Sequence, residues 1–205
     1  MRRLGILISG RGSNMIAILK AVQAGKIQAI PAVIISNKPN ALGLEYARSH
    51  GIPTKVIQSK NFSGTRDEYD SLIEDVLKEY KVYPHNGIIC LAGFMRVLGP
   101  KFVKRYKNKI LNIHPALLPS FPGIDAQKQA IEYGTKISGC TVHFVDANVD
   151  TGPILLQAMV LVNSDDTVKT LSERILLEEH KLYPKAIQML STKRVRVYKR
   201  RVIVS

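Results

Sequence analysis

A chain of 205 residues, 45% hydrophobic and 22% charged, can bury a substantial core and falls within the range of a single domain. It has no run of about 18 apolar residues that would cross a membrane, and its early apolar stretch, Leu4 to Ser9, ends in a glycine loop instead of a signal cleavage site; membrane-embedded and secreted classes are set aside and a cytoplasmic protein is expected. The formal charge of +14 is uneven: Lys193, Arg194, Arg196, Lys199, Arg200 and Arg201 crowd a C-terminal segment without acids, leaving +8 on the rest, which suits anionic small molecules and requires no nucleic acid, although RNA contact by the tail stays open.

In chain order, short β-branched runs alternate with helical periodicity, the pattern of an α/β, Rossmann-like fold with a largely parallel sheet and helices on both faces. The first strand, Leu4 to Ser9, leads through Ser9-Gly10-Arg11-Gly12-Ser13-Asn14 into a helix, Asn14 to Ala24, closed by Gly25. Glycines there let backbone approach an anion at a helix N-terminus, so a phosphate site is inferred, with a plain tight turn as the alternative. The third glycine of a dinucleotide fingerprint is missing and no acid lies between Asn14 and Glu45 to hold a ribose, which disfavours NAD and FAD. A strand at Ala32 to Ser36, a helix at Ala41 to His50 closed by Gly51, and a strand at Thr54 to Ile57 follow. Thr65-Arg66-Asp67-Glu68 then predicts a capping box opening a helix over Arg66 to Tyr80.

The strand Gly87 to Ala92 carries Cys90; with Cys140 it makes the two cysteines, both in apolar stretches and read as buried free thiols. The next strand, Ile110 to His114, is the most informative: alternation puts Asn112 and His114 on one face, roughly 6 to 7 Å apart, while Pro115 ends the strand. An amide and an imidazole projecting together from a carboxyl strand end suit acyl-type transfer, one donating to a developing oxyanion and the other moving protons. Turn capping by Asn112 and simple packing of His114 are the alternative.

A proline-rich loop leads to a helix at Ala126 to Tyr133, strands at Cys140 to Val145 and Ile154 to Val162, and a long helix from Thr167 to Met189. Asp150, before Gly152-Pro153, is either a carboxylate partner for His114 or a turn former. His143, alternating with Thr141 and Val145, either lines the cleft or packs in the core. A zinc site from His114, His143 and Asp150 would lack compact spacing and thiolates, so no metal is expected. Residues 1–192 are expected as one domain, and 193–205 as a basic tail able to form an edge strand.

Through SGRGSN, LAGFMRVLGP, LNIHPALLPSFPG, GCTVHFV and VDTGPILLQ, in that order, the sequence resembles the folate-dependent glycinamide ribonucleotide formyltransferases over nearly its whole length. The resemblance implies a formyltransferase fold in which 10-formyltetrahydrofolate is cosubstrate and glycinamide ribonucleotide the acceptor, in a monomer or homodimer. It implies a catalytic trio of Asn112, His114 and Asp150. Gly12, Ser13 and Asn14 would hold the substrate phosphate and Glu179 would contact the ribose end. Arg66, Met95, Arg96, Val97, Leu98 and Asn112, with Asp146 and Asp150, would line the folate site. After PG the chain reads Ile124-Asp125-Ala126-Gln127 where some members carry histidines, and the basic tail is not a family hallmark. Methionyl-tRNA formyltransferase and formyltetrahydrofolate deformylase share the trio but usually carry, respectively, an added C-terminal domain and an N-terminal module, neither of which is expected here.

Overall fold

The computed structural model describes residues 1–205. Its main sheet is built from β1 (Arg2–Ile8), β2 (Ala29–Ser36), β3 (Thr54–Val56), β4 (Gly87–Leu91), β5 (Ile110–His114), β6 (Ile137–Phe144) and β7 (Ile154–Leu161), in the spatial order β3-β2-β1-β4-β5-β6-β7. The first five of these in space are parallel; β6 and β7 add antiparallel pairs at one side. Six helices accompany the sheet: α1 (Ser13–Gln23), α2 (Leu42–Ser49), α3 (Arg66–Glu79), α4 (Pro100–Arg105), α5 (Ala126–Tyr133) and α6 (Val168–Thr192). No helix is long and apolar enough to cross a membrane.

Both faces of the sheet are covered, as the unbroken apolar runs of the parallel strands require. Leu4, Ile6 and Ile8 of β1 join Met15 and Ile18 of α1 and Tyr183 and Ile187 of α6 in one core; Leu7, with Val33 and Ile35 of β2, joins Ile73 and Leu77 of α3 in the other. The period-2 alternation of a single strand thus feeds two cores. The capping box of α3 forms as predicted: the Thr65 amide donates to Glu68 Oε2 at 2.6 Å and the Glu68 amide to Thr65 Oγ1 at 3.2 Å. Both cysteines are free and buried, and burial pushes the Cys140 thiol up to about 12, which leaves it protonated and inert at neutral pH.

Two elements depart from the expectations. Helix α4 was not anticipated, because six residues starting from Gly99 and Pro100 are too few to display a period. The basic tail does not extend the main sheet as an edge strand; β8 (Val195–Tyr198) and β9 (Arg201–Val204) pair with each other in a separate two-stranded hairpin. Lys199, with φ of 54°, turns the chain between them.

The topology positions the site. Strands β1 to β3 run out to one side and β4 and β5 to the other, so the order reverses between β1 and β4, the place where open α/β sheets form a crevice at their carboxyl ends. Register aligns Leu7 with Leu91, Leu91 with Asn112, and Asn112 with His143 across four strands. The glycine loop just after β1 therefore lies about 10 Å, two strand spacings, from the Asn112 row.

Candidate active site

The loop after β1 meets the requirements of an anion site. Gly12 sits in the left-handed region at φ 71°, and a Cβ there would press on the Gly43 backbone at 3.2 Å, so only glycine fits without strain. No side chain caps α1, and its hydrogen bonding begins with the Ile16 amide donating to the Gly12 carbonyl at 2.8 Å. The amides of Ser13, Asn14 and Met15 are thereby left for a ligand at the positive end of the helix dipole.

Asn14 faces inward. Its Nδ2 donates to Glu179 Oε2 at 2.7 Å, while its buried Oδ1 has no hydrogen-bond partner in the chain. Glu179 is 7% exposed, and burial pushes its carboxyl above the usual range against the opposing pull of the Asn14 amide. One turn further along α6, the Tyr183 hydroxyl reaches the carbonyls of Leu91 and Leu111, at 3.1 and 2.9 Å. One face of α6 therefore ties the glycine loop to the ends of β4 and β5.

A carboxyl whose folded-state pKa is raised stabilises the protein below its unfolded-state value, near 4.3, and that contribution is lost as pH rises through the folded-state value. Glu179→Gln cannot ionise, so it is expected to melt above the parent at pH 8, with the gap closing by pH 4. A shift of roughly 2–4 °C accompanies each kcal/mol recovered in a chain of this size. Thermal melts across pH check this, and a gap that fails to grow with pH refutes it.

At the end of β5 the predicted groups converge. His114 is 3% exposed; its Nδ1 lies 3.2 Å from Asp150 Oδ2, and its Nε2 donates to the Phe121 carbonyl at 2.8 Å. A carbonyl only accepts, so Nε2 carries a proton in that hydrogen bond, while the Nδ1 contact with Asp150 is a close electrostatic approach. Asn112 Nδ2 is 3.4 Å from Asp150 Oδ1 and 3.2 Å from His143 Nε2. Asp150 also accepts from the Gly123 amide at 2.9 Å. Burial pushes the Asp150 carboxyl up, but the imidazoles of His143 and His114 and the Gly123 amide outweigh it, leaving the group below the usual carboxylate range and ionised at neutral pH.

The loop after His114 is pinned from β6 and β7. Thr141 Oγ1 accepts from the Leu118 amide and donates to the Ala116 carbonyl, and Gln157 Nε2 donates to both the Leu118 carbonyl and Thr141 Oγ1. His143, left open between cleft and core by its strand pattern, belongs to the cluster: it is directly opposite Asn112 and 3.6 Å from Asp150. Its period-2 spacing with Thr141 was the only signal available from the sequence.

The residues assigned to the folate side occupy the β4–α4 loop and its neighbours. Met95 and Val97 are exposed, Arg96 lies over the Tyr69 ring at 3.9 Å, and Arg66 stands exposed at the start of α3. The Leu98 side chain is buried in the second core, so only its backbone can face a ligand. The loop is anchored by the Met95 amide on Ser9 Oγ at 2.8 Å and by the Gly99 amide on Asp70. Asp146 Oδ1 accepts from the Asn148 amide and the Thr151 hydroxyl, at 3.2 and 2.7 Å, shaping the loop that carries Asp150.

The sequence profile of the formyl transferase family matches residues 2–187. Phosphoribosylglycinamide formyltransferase from Escherichia coli (strain K12) is 39% identical over 193 residues, covering 94% of this chain and 89% of that protein. The chain belongs to the formyl transferase family, beside the phosphoribosylglycinamide formyltransferases. The crystal structure of glycinamide ribonucleotide transformylase 1 from Symbiobacterium toebii, at 45% identity, superposes with a TM-score of 0.94 over 100% of this chain and 94% of that one. Trifunctional purine biosynthetic protein adenosine-3 from Homo sapiens is 47% identical over 93% of this chain, which spans only 18% of that longer protein.

Proposed function

We propose that the protein transfers the formyl group of 10-formyltetrahydrofolate to the amine of 5'-phosphoribosylglycinamide, a step of purine biosynthesis, as a cytoplasmic enzyme that needs no metal. The observation that carries this reading is the meeting of Asn112, His114 and Asp150 at the sheet's carboxyl edge, two strands from an uncapped helix N-terminus. Residues 1–192 are read as the formyl-transfer unit.

In this scheme the amides of Ser13 and Asn14 grip the phosphate, and Asn14 Oδ1 with Glu179 accepts from hydroxyl or amine groups next to it. The exposed β4–α4 loop, with Arg66 and Arg96 as cations, and the Asp146–Asp150 loop accommodate the folate, whose glutamate carboxylates suit those cations. As the amine adds to the formyl carbon, Asn112 donates to the oxyanion, exchanging its long 3.4 Å contact with Asp150 for a stronger charged one. His114 stabilises the same charge. Asp150 orients His114 and receives or relays the proton that the amine loses and the departing folate nitrogen gains.

An acceptor comparison tests the proposal: 10-formyltetrahydrofolate is supplied with glycinamide ribonucleotide, initiator methionyl-tRNA or water alone. Formylated glycinamide ribonucleotide is expected as the dominant product. Formyl-methionyl-tRNA or free formate in its place overturns the acceptor assignment. Asn14→Ala is expected to raise KM for the phosphorylated acceptor about tenfold with little change in kcat, the signature of lost ground-state binding. An unchanged KM counts against the phosphate assignment.

A further inference from the structure

The C-terminal hairpin carries its apolar face inward. Val195, Val197, Val202 and Val204 pack against the larger core, while the alternate residues Arg196, Tyr198, Arg201 and Ile203 face solvent. At the turn between β8 and β9, Arg200 reaches away from the hairpin, and its Nη1 donates to the Thr151 carbonyl at 2.8 Å. No other group in the chain hydrogen-bonds to that carbonyl. Arg200 has no acidic partner, so this contact is its one specific interaction.

Thr151 follows Asp150 directly, and the backbone there is demanding. Asp150 adopts φ of 54°, the left-handed region, which costs a side-chain-bearing residue some backbone strain. The loop is fixed on one side by the Thr151 hydroxyl on Asp146, and on the other by Gly152, whose backbone lies so close to the Phe144 carbonyl that a Cβ would sit 1.7 Å from it. Between these anchors the Arg200 guanidinium is the one hydrogen-bond partner of the Thr151 carbonyl. A shift of the Thr151 backbone is passed on to its neighbour Asp150, whose carboxylate meets His114, Asn112 and the Gly123 amide.

We infer that Arg200 is a positioning residue, a brace supplied by the C-terminal hairpin that keeps the Asp150 carboxylate aimed at His114 and Asn112. The inference rests on the reading of Asp150 given above. Basic charge in the tail thus has a task for at least one of its members: an arginine can span from a hairpin to a carbonyl and still keep its charge in water.

The groups facing Asp150 are His114 and Asn112 from β5, His143 from β6 and the Gly123 amide from the loop after β5. Burial opposes ionisation of Asp150, but His143, the Gly123 amide and His114 together outweigh it, so an Asp150 loosened from all of them needs a higher pH to ionise. Arg200→Ala, Arg200→Lys and Arg196→Ala are compared for kcat and both KM values from about pH 3 to pH 9, low enough to reach the carboxylate range, and for amide hydrogen exchange over residues 146–152. Arg196→Ala removes one charge from the same hairpin without touching Thr151.

Arg200→Ala is expected to lower kcat roughly tenfold, to leave KM for the phosphorylated acceptor unchanged, to move the acid limb of kcat to higher pH, and to speed exchange in the loop. Arg200→Lys is expected to restore part of the rate, and Arg196→Ala to match the parent. Parental kcat and pH profile in Arg200→Ala, or the same loss in Arg196→Ala, overturns the brace. If the parent protein formylates no acceptor, the role of Asp150 falls, and exchange alone decides: parental protection of residues 146–152 in Arg200→Ala overturns the brace as well.

Discussion

Asn112→Ala and His114→Ala are each expected to cut kcat by roughly a hundredfold or more while KM for either substrate moves only a few-fold. A hundredfold is about 2.7 kcal/mol of transition-state stabilisation, the size of one well-aimed donor to an oxyanion in a water-poor site. In the proposed mechanism Asn112 supplies such a donor. Its amide nitrogen is held between Asp150 and His143 at 3.4 and 3.2 Å, so it is preorganised and loses only a long contact on meeting developing charge. His114 loses more when truncated, because its imidazole also spans from Asp150 to the Phe121 carbonyl at the far side of the proline-rich loop. Melting temperatures of both variants separate lost chemistry from lost structure. Steady-state kinetics with full turnover in either variant removes that residue from the mechanism.

Gly152→Ala is expected to destabilise the protein by roughly 2–4 kcal/mol, a fall in melting temperature of roughly 5–15 °C, and to depress kcat at the same time. The added Cβ would lie 1.7 Å from the Phe144 oxygen and 2.8 Å from its carbonyl carbon, and both obstacles are backbone that cannot swing aside. The strand end must part from Pro153, whose carbonyl accepts from the Phe144 amide at 2.9 Å, and Asp150, two residues away, moves with it. Gly134→Ala is the control for conformation alone: φ is 79° there, but a Cβ would meet nothing within 4 Å. Its cost is about 1 kcal/mol. Equal stability losses in the two variants would falsify the close-approach explanation.

Much of the fold was legible because the features that define it are local. Short β-branched and apolar runs located all seven strands of the main sheet, helical periodicity located five of six helices, and the Thr65–Glu68 capping box marked the start of α3 to the residue. The failures have a local explanation too. Six-residue α4 offers less than two turns of pattern, and the basic tail showed its charge but not its hairpin, whose turn lacks the glycine that usually announces one.

By itself the sequence determined which side chains share a strand face, which loop can approach an anion and where helices begin, since each of these follows from spacing along a few residues. Spacing along one strand is enough to pair Asn112 with His114. Only the tertiary structure decided that Asp150, 36 residues beyond His114 in the chain, turns inward as a carboxylate instead of merely shaping its turn. Tertiary packing alone also brought His143 opposite Asn112, joined Asn14 to Glu179 through α6, and set Arg200 against Thr151. The physical reason is common to all four: sheet register and helix packing bring together groups far apart in the chain, and no period in the sequence encodes which distant partner a side chain will meet.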